Sequence, residues 1–555
     1  GFFGFRVRFL FHKVTKYIKV PPAAIGAADA IEKHRMSVPS SDQASLSRSD
    51  RREQAELRPA TASEGGALWR LDGAELARLI RLGQISSREA ILSGLERLEA
   101  VNPRLNAVVR TLGEEALTAA DEADRALRRG DPLGPLHGVP VTVKVNVDQR
   151  GCPTDNGVVA YRDLIAAEDN PVVANLRRAG GVIIGRTNAP AYSMRWFTDN
   201  ALHGPTLNPW APALTPGGSS GGAASAVAAG IGAIAHGNDI AGSVRYPAYC
   251  CGILGLRPSN GRVPSFNPSA QGLSPISSQL MAVQGPLARR VRDVRLAFAA
   301  MAVADARDPR SFQAAPPPAL SRPIRVALVG ADGPGGALGD VHRAVAAAVA
   351  RAGGALAAAG YAVERVEPPG LAEAASLWPR LAMPDLIALL EPLIAENGDA
   401  GIQRAVGLWR RVWPMRDAGD CLTALGERLR LLRRWLDFLA RYPLVVMPVS
   451  TGLPFATGAD VLDETATAAI IAAQAPLMAT SILGLPALSV PTGLYRDEGR
   501  LEDRSDDRPA RAPGAVPTGV QIVAGPFRED LCFDAAEVIE AAWPMPTPID
   551  PLGVP

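Results

Sequence analysis

Short β-branched runs separated by longer helical stretches recur along most of this chain, and that alternation narrows what it can fold into. The clearest run is 136–147, where Val139, Val141, Val143, Val145 and Val147 occupy every second position. Period-two spacing is that of a strand, and it puts Lys144 on the face opposite the valines. Apolar runs at 182–185, 324–330, 362–366, 444–448, 487–490 and 519–523 also read as strands. Helical patterns lie between and around them, at 172–179, 340–360, 371–440 and near 530–542. Closer to the N-terminus, Leu71, Leu76, Leu79 and Ile80 form one apolar stripe, and Ser86 or Ser87 with Glu89 signals a helix start before 90–101. This order predicts an α/β protein with a mixed central β-sheet covered by helices. With no internal repeat and no composition break, 67–555 is expected to be a single large domain.

The N-terminal part reads differently. Residues 36–66 are polar and rich in Ser, Arg and Glu, as in a flexible lead-in. Residues 1–35 hold Lys13, Lys16, Lys19 and Lys33, whereas beyond Met36 the sole lysine is Lys144. Residues 1–20 lack the apolar core of a secretory signal. The expectation is that translation naturally begins at Met36 and that 1–35 is a non-native upstream extension; a basic membrane-touching anchor is the alternative. The charged, Pro-containing stretch 496–513 is expected to be a surface excursion.

Several function classes are disfavoured by composition. A net charge of +2 offers no electrostatic case for nucleic acid or anionic lipid as the main partner. Five cysteines without CxxC spacing, and six histidines without an HxxxH or HExxH pair, indicate neither a disulfide framework nor a metal site. No cofactor is expected, and a reducing, cytoplasmic setting is the economical reading. The longest apolar stretch, 223–235, is too short to span a membrane and reads as a buried helix.

Lys144 is a candidate for proton transfer. Arginine serves wherever else a cation stands after Met36, yet arginine keeps its proton, whereas a desolvated lysine can lose one and act as a base. A second concentration of chemistry lies downstream, in Pro216-Gly217-Gly218-Ser219-Ser220-Gly221-Gly222 and in 237–245. Glycines spaced this closely let backbone N–H groups converge on an anion or oxyanion. A phosphate loop would need Gly-Lys-Ser/Thr, and no lysine is present here. Gly217-x-Ser219-x-Gly221 matches a nucleophile elbow, but the only later histidines, His236 and His342, sit in no recognisable triad setting.

Taken together, these blocks resemble the amidase signature family. The likeness runs through Pro135–Lys144 and Thr187-Asn188, the Gly-Gly-Ser-Ser-Gly-Gly block, Gly237-x-Asp239-x-x-Gly242-Ser243-x-Arg245-x-Pro247-Ala248 and Cys251-Gly252-x-x-Gly255-Leu256-Arg257-Pro258. It continues in Gly484-Leu485-Pro486-Ala487, Val490-Pro491-x-Gly493 and Gly519-Val520-Gln521-Ile522, so it covers nearly the whole domain. The resemblance implies a Ser–cis-Ser–Lys triad, with Lys144 as base, Ser219 as the cis-serine relay and Ser243 as nucleophile. It further implies an oxyanion hole from the backbone of Ile240, Ala241, Gly242 and Ser243, with Ser220, Asp239 and Arg245 orienting the loop.

Three places depart from the family pattern: Ala241 replaces a usual glycine, Asn238 a usual threonine, and Val145-Asn146 the more usual residues after the lysine. If position 241 needs φ > 0, alanine there is strained by about 1 kcal/mol. The implied activity is hydrolysis of a linear carboxylic amide to carboxylate plus ammonia or amine through a Ser243 acyl-enzyme. Two other readings remain open: the glutaminase component of a tRNA-dependent amidotransferase complex, and a catalytically weak binding protein on the same scaffold. A small-molecule amide is the expected partner, and a homodimer would suit the resemblance. Tyr192, Met194, Trp196 and Phe197, with Leu377, Trp378, Leu381, Met383 and Leu386, are candidates for the walls of an acyl pocket.

Overall fold

A computed structural model describes residues 67–552 apart from 271, 312, 316–317, 333–335, 414–416 and 497–514. The expectations for 1–35 and 36–66, and nearly all of the 496–513 excursion, therefore lie outside the described residues.

Eleven strands make one mixed sheet: β1 Val108–Thr111, β2 Pro140–Lys144, β3 Val182–Thr187, β4 Ile234–Asp239, β5 Leu254–Arg257, β6 Val283–Ala288, β7 Arg325–Leu328, β8 Ala362–Arg365, β9 Leu444–Pro448, β10 Ala487–Tyr495 and β11 Val516–Ala524. Their order across the sheet is β1-β3-β2-β4-β6-β5-β10-β11-β9-β7-β8. β2 runs parallel to both β3 and β4, and β7 to both β8 and β9. The remaining pairs are antiparallel.

Strand alternation divides the core into two layers. Val326, Leu328, Leu444 and Val446 belong to one apolar cluster, while Ala327, Val329, Val445 and Met447 belong to the other. Helices cover both faces, which changes the meaning of the valine run. In an uncovered sheet, alternation marks one wet face, but every residue of β2 is buried. Lys144 is consequently buried completely on the face opposite Val141 and Val143.

Local signals hold where they are strongest. Helix Ser87–Val101 begins with a capping box in which Ser86 and Glu89 satisfy each other's backbone N–H groups. Helix Pro171–Arg178 matches the expected 172–179 to within one residue, and Arg343–Ala358 falls within 340–360. The stretch 223–235 differs: helix Gly221–Ala228 stops early, and Ile234 and Ala235 open β4. Gly230 takes φ +85°, ending the helix and allowing the chain to turn into the sheet. The described residues of 371–440 are mostly helical, as expected, in helices Leu371–Asp385, Glu391–Asn397, Ala400–Val412 and Ala418–Leu439, with a π-helical segment, Leu386–Leu390. Among the described residues no single helix is long and apolar enough to cross a membrane; Glu464–Ala473 and Ala475–Leu483 reach that length only jointly, bent by 56°.

Candidate active site

Parallel neighbours in an α/β sheet bring their C-terminal ends to one edge, where ligand sites form. Here that edge belongs to β2 and β4. Lys144 is the last residue of β2, and residues 238–243 run off the end of β4. Ser219 and Ser220 arrive between them, just ahead of helix Gly221–Ala228. The peptide Gly218–Ser219 is cis. A side chain at position 218 would come within 2.5 Å of Arg195 O and Phe197 N, so only glycine lets the chain pass there.

Lys144 Nζ lies 2.7 Å from Ser219 Oγ, 3.2 Å from Ser220 Oγ and 2.7 Å from Asn238 Oδ1. Burial drives its pKa well below the ordinary lysine value, and the charge of nearby Asp239 opposes that shift without reversing it. Among the described residues no carboxylate touches the amine. Ser243 follows in the same cluster, its backbone carbonyl accepting from Ser220 N at 3.2 Å, and Ser219 and Ser243 line one cavity.

The loop carrying Ser243 is held from beneath. Asp239 accepts from Gly242 N at 2.8 Å and Val244 N at 3.2 Å. Arg245 Nη2 and Arg257 Nη1 meet the same carboxylate at 3.0 and 3.2 Å, with both partners fully buried. Burial alone would raise the Asp239 pKa, but the two guanidiniums and the Gly242 N–H hold it below the usual carboxylate range. Arg245 is fixed in turn by Gln521, Ser481, Thr480 and the Leu477 carbonyl.

Two tryptophans hold the loop from the cavity side. Trp196 Nε1 donates to Ala241 O at 2.9 Å, and Trp378 Nε1 donates to Ile240 O at 3.1 Å. Positive φ falls on Gly242, at +101°, and not on Ala241. The strain anticipated for alanine at 241 is therefore absent. Gly242 differs from its expected role, because its N–H is engaged by Asp239 and the residue does not line the cavity, whereas Ile240 and Ala241 do.

The cavity is about 250 Å³. Tyr192, Met194, Trp196 and Trp378 all line it, as do Met383 and Leu386. Leu377, Leu381 and Phe197 do not; they are buried in the core behind it. Trp409 and Trp413, from the same 371–440 section, line it too, whereas sequence reasoning missed Asp385, Gln284 and the direct contact of Asn238 with Lys144. The signal for Asn238 was present as a departure from the family's threonine, but its partner became visible only in three dimensions.

Comparison with known proteins is consistent throughout. The profile of the Amidase family matches residues 89–533. The chain belongs to the amidase family. An indoleacetamide hydrolase of Bradyrhizobium diazoefficiens is 42% identical over 86% of this chain and 87% of its own length. The A-type component of the glutamyl-tRNA(Gln) amidotransferase of Deinococcus radiodurans is 31% identical over 84% and 96%. Among solved structures, a bacterial aryl acylamidase of the amidase signature enzymes superposes with TM-score 0.70 at 26% identity, covering 86% of this chain and 97% of its own. This amidase is an enzyme that hydrolyses a linear amide, and the greater likeness to the hydrolase than to the amidotransferase component favours that activity over the tRNA-dependent one.

Proposed function

We propose that this amidase cleaves a compact aryl-substituted primary amide, such as an indole- or phenyl-acetamide, to its carboxylate and ammonia through an acyl-enzyme on Ser243. The observation that carries the reading is Lys144, buried with no carboxylate partner among the described residues and 2.7 Å from Ser219 Oγ. A neutral lysine offers two N–H donors and one lone pair. Asn238 Oδ1 can only accept, and Ser220 Oγ is the second acceptor, so the lone pair is left for the Ser219 hydroxyl.

In this reading Ser219 passes its proton to Lys144 and takes one from Ser243, whose oxygen adds to the amide carbonyl. Backbone N–H groups of Ile240, Ala241 and Ser243 face the developing oxyanion, while Gly242 serves the loop through Asp239. The proton on Lys144 returns through Ser219 to the departing nitrogen, which leaves as ammonia. Water then attacks the acyl carbon by the same relay and frees Ser243.

The acyl preference rests on the cavity and on the relatives. Its volume of about 250 Å³ is just below the range common for ligand sites, about 300–1,000 Å³, which suits a compact acyl group, and its walls carry Trp196, Trp378, Trp409 and Trp413. Likeness to an indoleacetamide hydrolase supports the same choice. Five unpaired thiols support a reducing, cytoplasmic setting. A homodimer is part of this reading and is open to light scattering.

The test is intact mass after a fluorophosphonate probe, on wild type, Ser243→Ala and Lys144→Ala. One adduct on the wild type, absent from both variants, is expected. Labelling that persists in Ser243→Ala would assign the nucleophile elsewhere.

A further inference from the structure

Several polar side chains around the cavity already have partners, and the hydroxyls of Ser243, Ser277 and Ser278 carry no charge. Asn238 Oδ1 takes Lys144, Gln284 Oε1 meets His236 Nε2 at 2.6 Å, and Ser265 Oγ accepts from Gln284 Nε2 at 3.1 Å. Asn146 Oδ1 lacks a partner but is shielded on all sides. Asp385 is the exception. It is the last residue of helix Leu371–Asp385 and lines the cavity on the same helical face as Trp378 and Ala382.

One carboxylate oxygen, Oδ2, accepts from Ser277 N at 2.6 Å, which fixes the group's orientation. Among the described residues no arginine pairs with it and no donor occupies Oδ1. A half-buried carboxylate in a wall of Ala382, Met383, Leu386 and Leu390 is costly unless a donor meets it. Trp378, which touches the oxyanion loop, lies two helical turns earlier, or about 10 Å along the axis. Asp385 thus lines the same cavity as Ser243, from the helix whose Trp378 touches the oxyanion loop.

We propose that Asp385 is a specificity residue that accepts a hydrogen bond from an aromatic-ring N–H of the acyl group, selecting arylacetamides with a ring N–H over isosteres without one. This rests on the arylacetamide reading above and deepens it. A site built to pair a polar group discriminates strongly against an analogue that leaves it unpaired.

The experiment compares kcat/KM for indole-3-acetamide and 1-benzothiophene-3-acetamide in wild type, Asp385→Leu and Asp385→Asn. Wild type is expected to prefer the indole by about tenfold or more, as for one charge-assisted hydrogen bond. The preference should fall to about one in both variants, with the loss carried by KM for the indole substrate. Asp385→Asn keeps an oxygen for Ser277 N and turns a donor toward the ring, so it separates recognition from anchoring of the loop. Equal wild-type rates on the two amides, or a preference that survives in both variants, would overturn the inference while leaving the arylacetamide reading intact. Turnover of neither amide by labelling-competent wild type would overturn both. Faster turnover of 4-(aminomethyl)phenylacetamide than of the indole would replace a neutral ring donor with an ammonium, and so overturn the assignment made here.

Discussion

Asn238→Asp is the substitution that tests the base most sharply, because it changes charge and almost nothing else. Asn238 Oδ1 lies 2.7 Å from Lys144 Nζ. An ionised carboxylate at that distance is worth about 6 kcal/mol at an effective dielectric of ~20, equivalent to about 4 pH units at ~1.4 kcal/mol each. Desolvating the new carboxylate offsets part of this, so an upward displacement of roughly 2 units is the lower bound. The sign follows from the role. Burial lowers the Lys144 pKa in the wild type, so the amine is free to accept a proton, whereas a neighbouring anion stabilises the ammonium. Activity rises with pH as the base deprotonates, and the acidic limb of the kcat/KM profile should therefore move alkaline by roughly 2 to 4 units. Below the shifted limb, activity falls about tenfold for each pH unit. The assay is the pH dependence of kcat/KM on an amide, run beside the rate of fluorophosphonate labelling, with Asn238→Thr as the uncharged control. An acidic limb that stays within about half a unit of wild type, despite lower activity, would show that Lys144 is not the titrating base.

Further outcomes follow from the same geometry. Lys144→Arg should lose about 10⁴-fold or more in kcat/KM without loss of the melting transition, since arginine keeps its proton; retention of a tenth of the activity would refute the relay. Asp239→Asn should cost about 3–5 kcal/mol in urea unfolding by leaving Arg245 and Arg257 uncompensated. Because the folded-state pKa of Asp239 is depressed, its stabilisation is present at neutral pH and fades as pH falls through that value. Gly242→Ala should lower both stability and activity, because position 242 has φ +101° and a Cβ there would come 2.5 Å from Leu477 Cδ1, whereas Ala241→Gly should change kcat/KM by less than about threefold.

Much of this was written in one dimension. Period-two valines, the Ser86–Glu89 cap and the Gly-Ser blocks are local signals, set by backbone geometry and side-chain reach, and each survived into the structure. Lys144 stood out for a related reason: where a chain uses arginine for charge after Met36, the lysine it keeps draws attention as a candidate base. Packing over distance was not legible. That β2 is covered on both faces depends on helices far away in the chain, so alternation alone could not say that Lys144 is dry. Strand β4 was hidden in an Ala- and Gly-rich run whose composition also suits a helix, and only sheet pairing decided its state. The worry over Ala241 depended on φ, which no residue type reveals by itself. Asp385 and Asn238 became part of one site because Trp378's helix folds across the end of β4. Residue chemistry and short-range periodicity were properties of the sequence, while burial, backbone sign and partnership came from contacts between segments that only tertiary packing brings together.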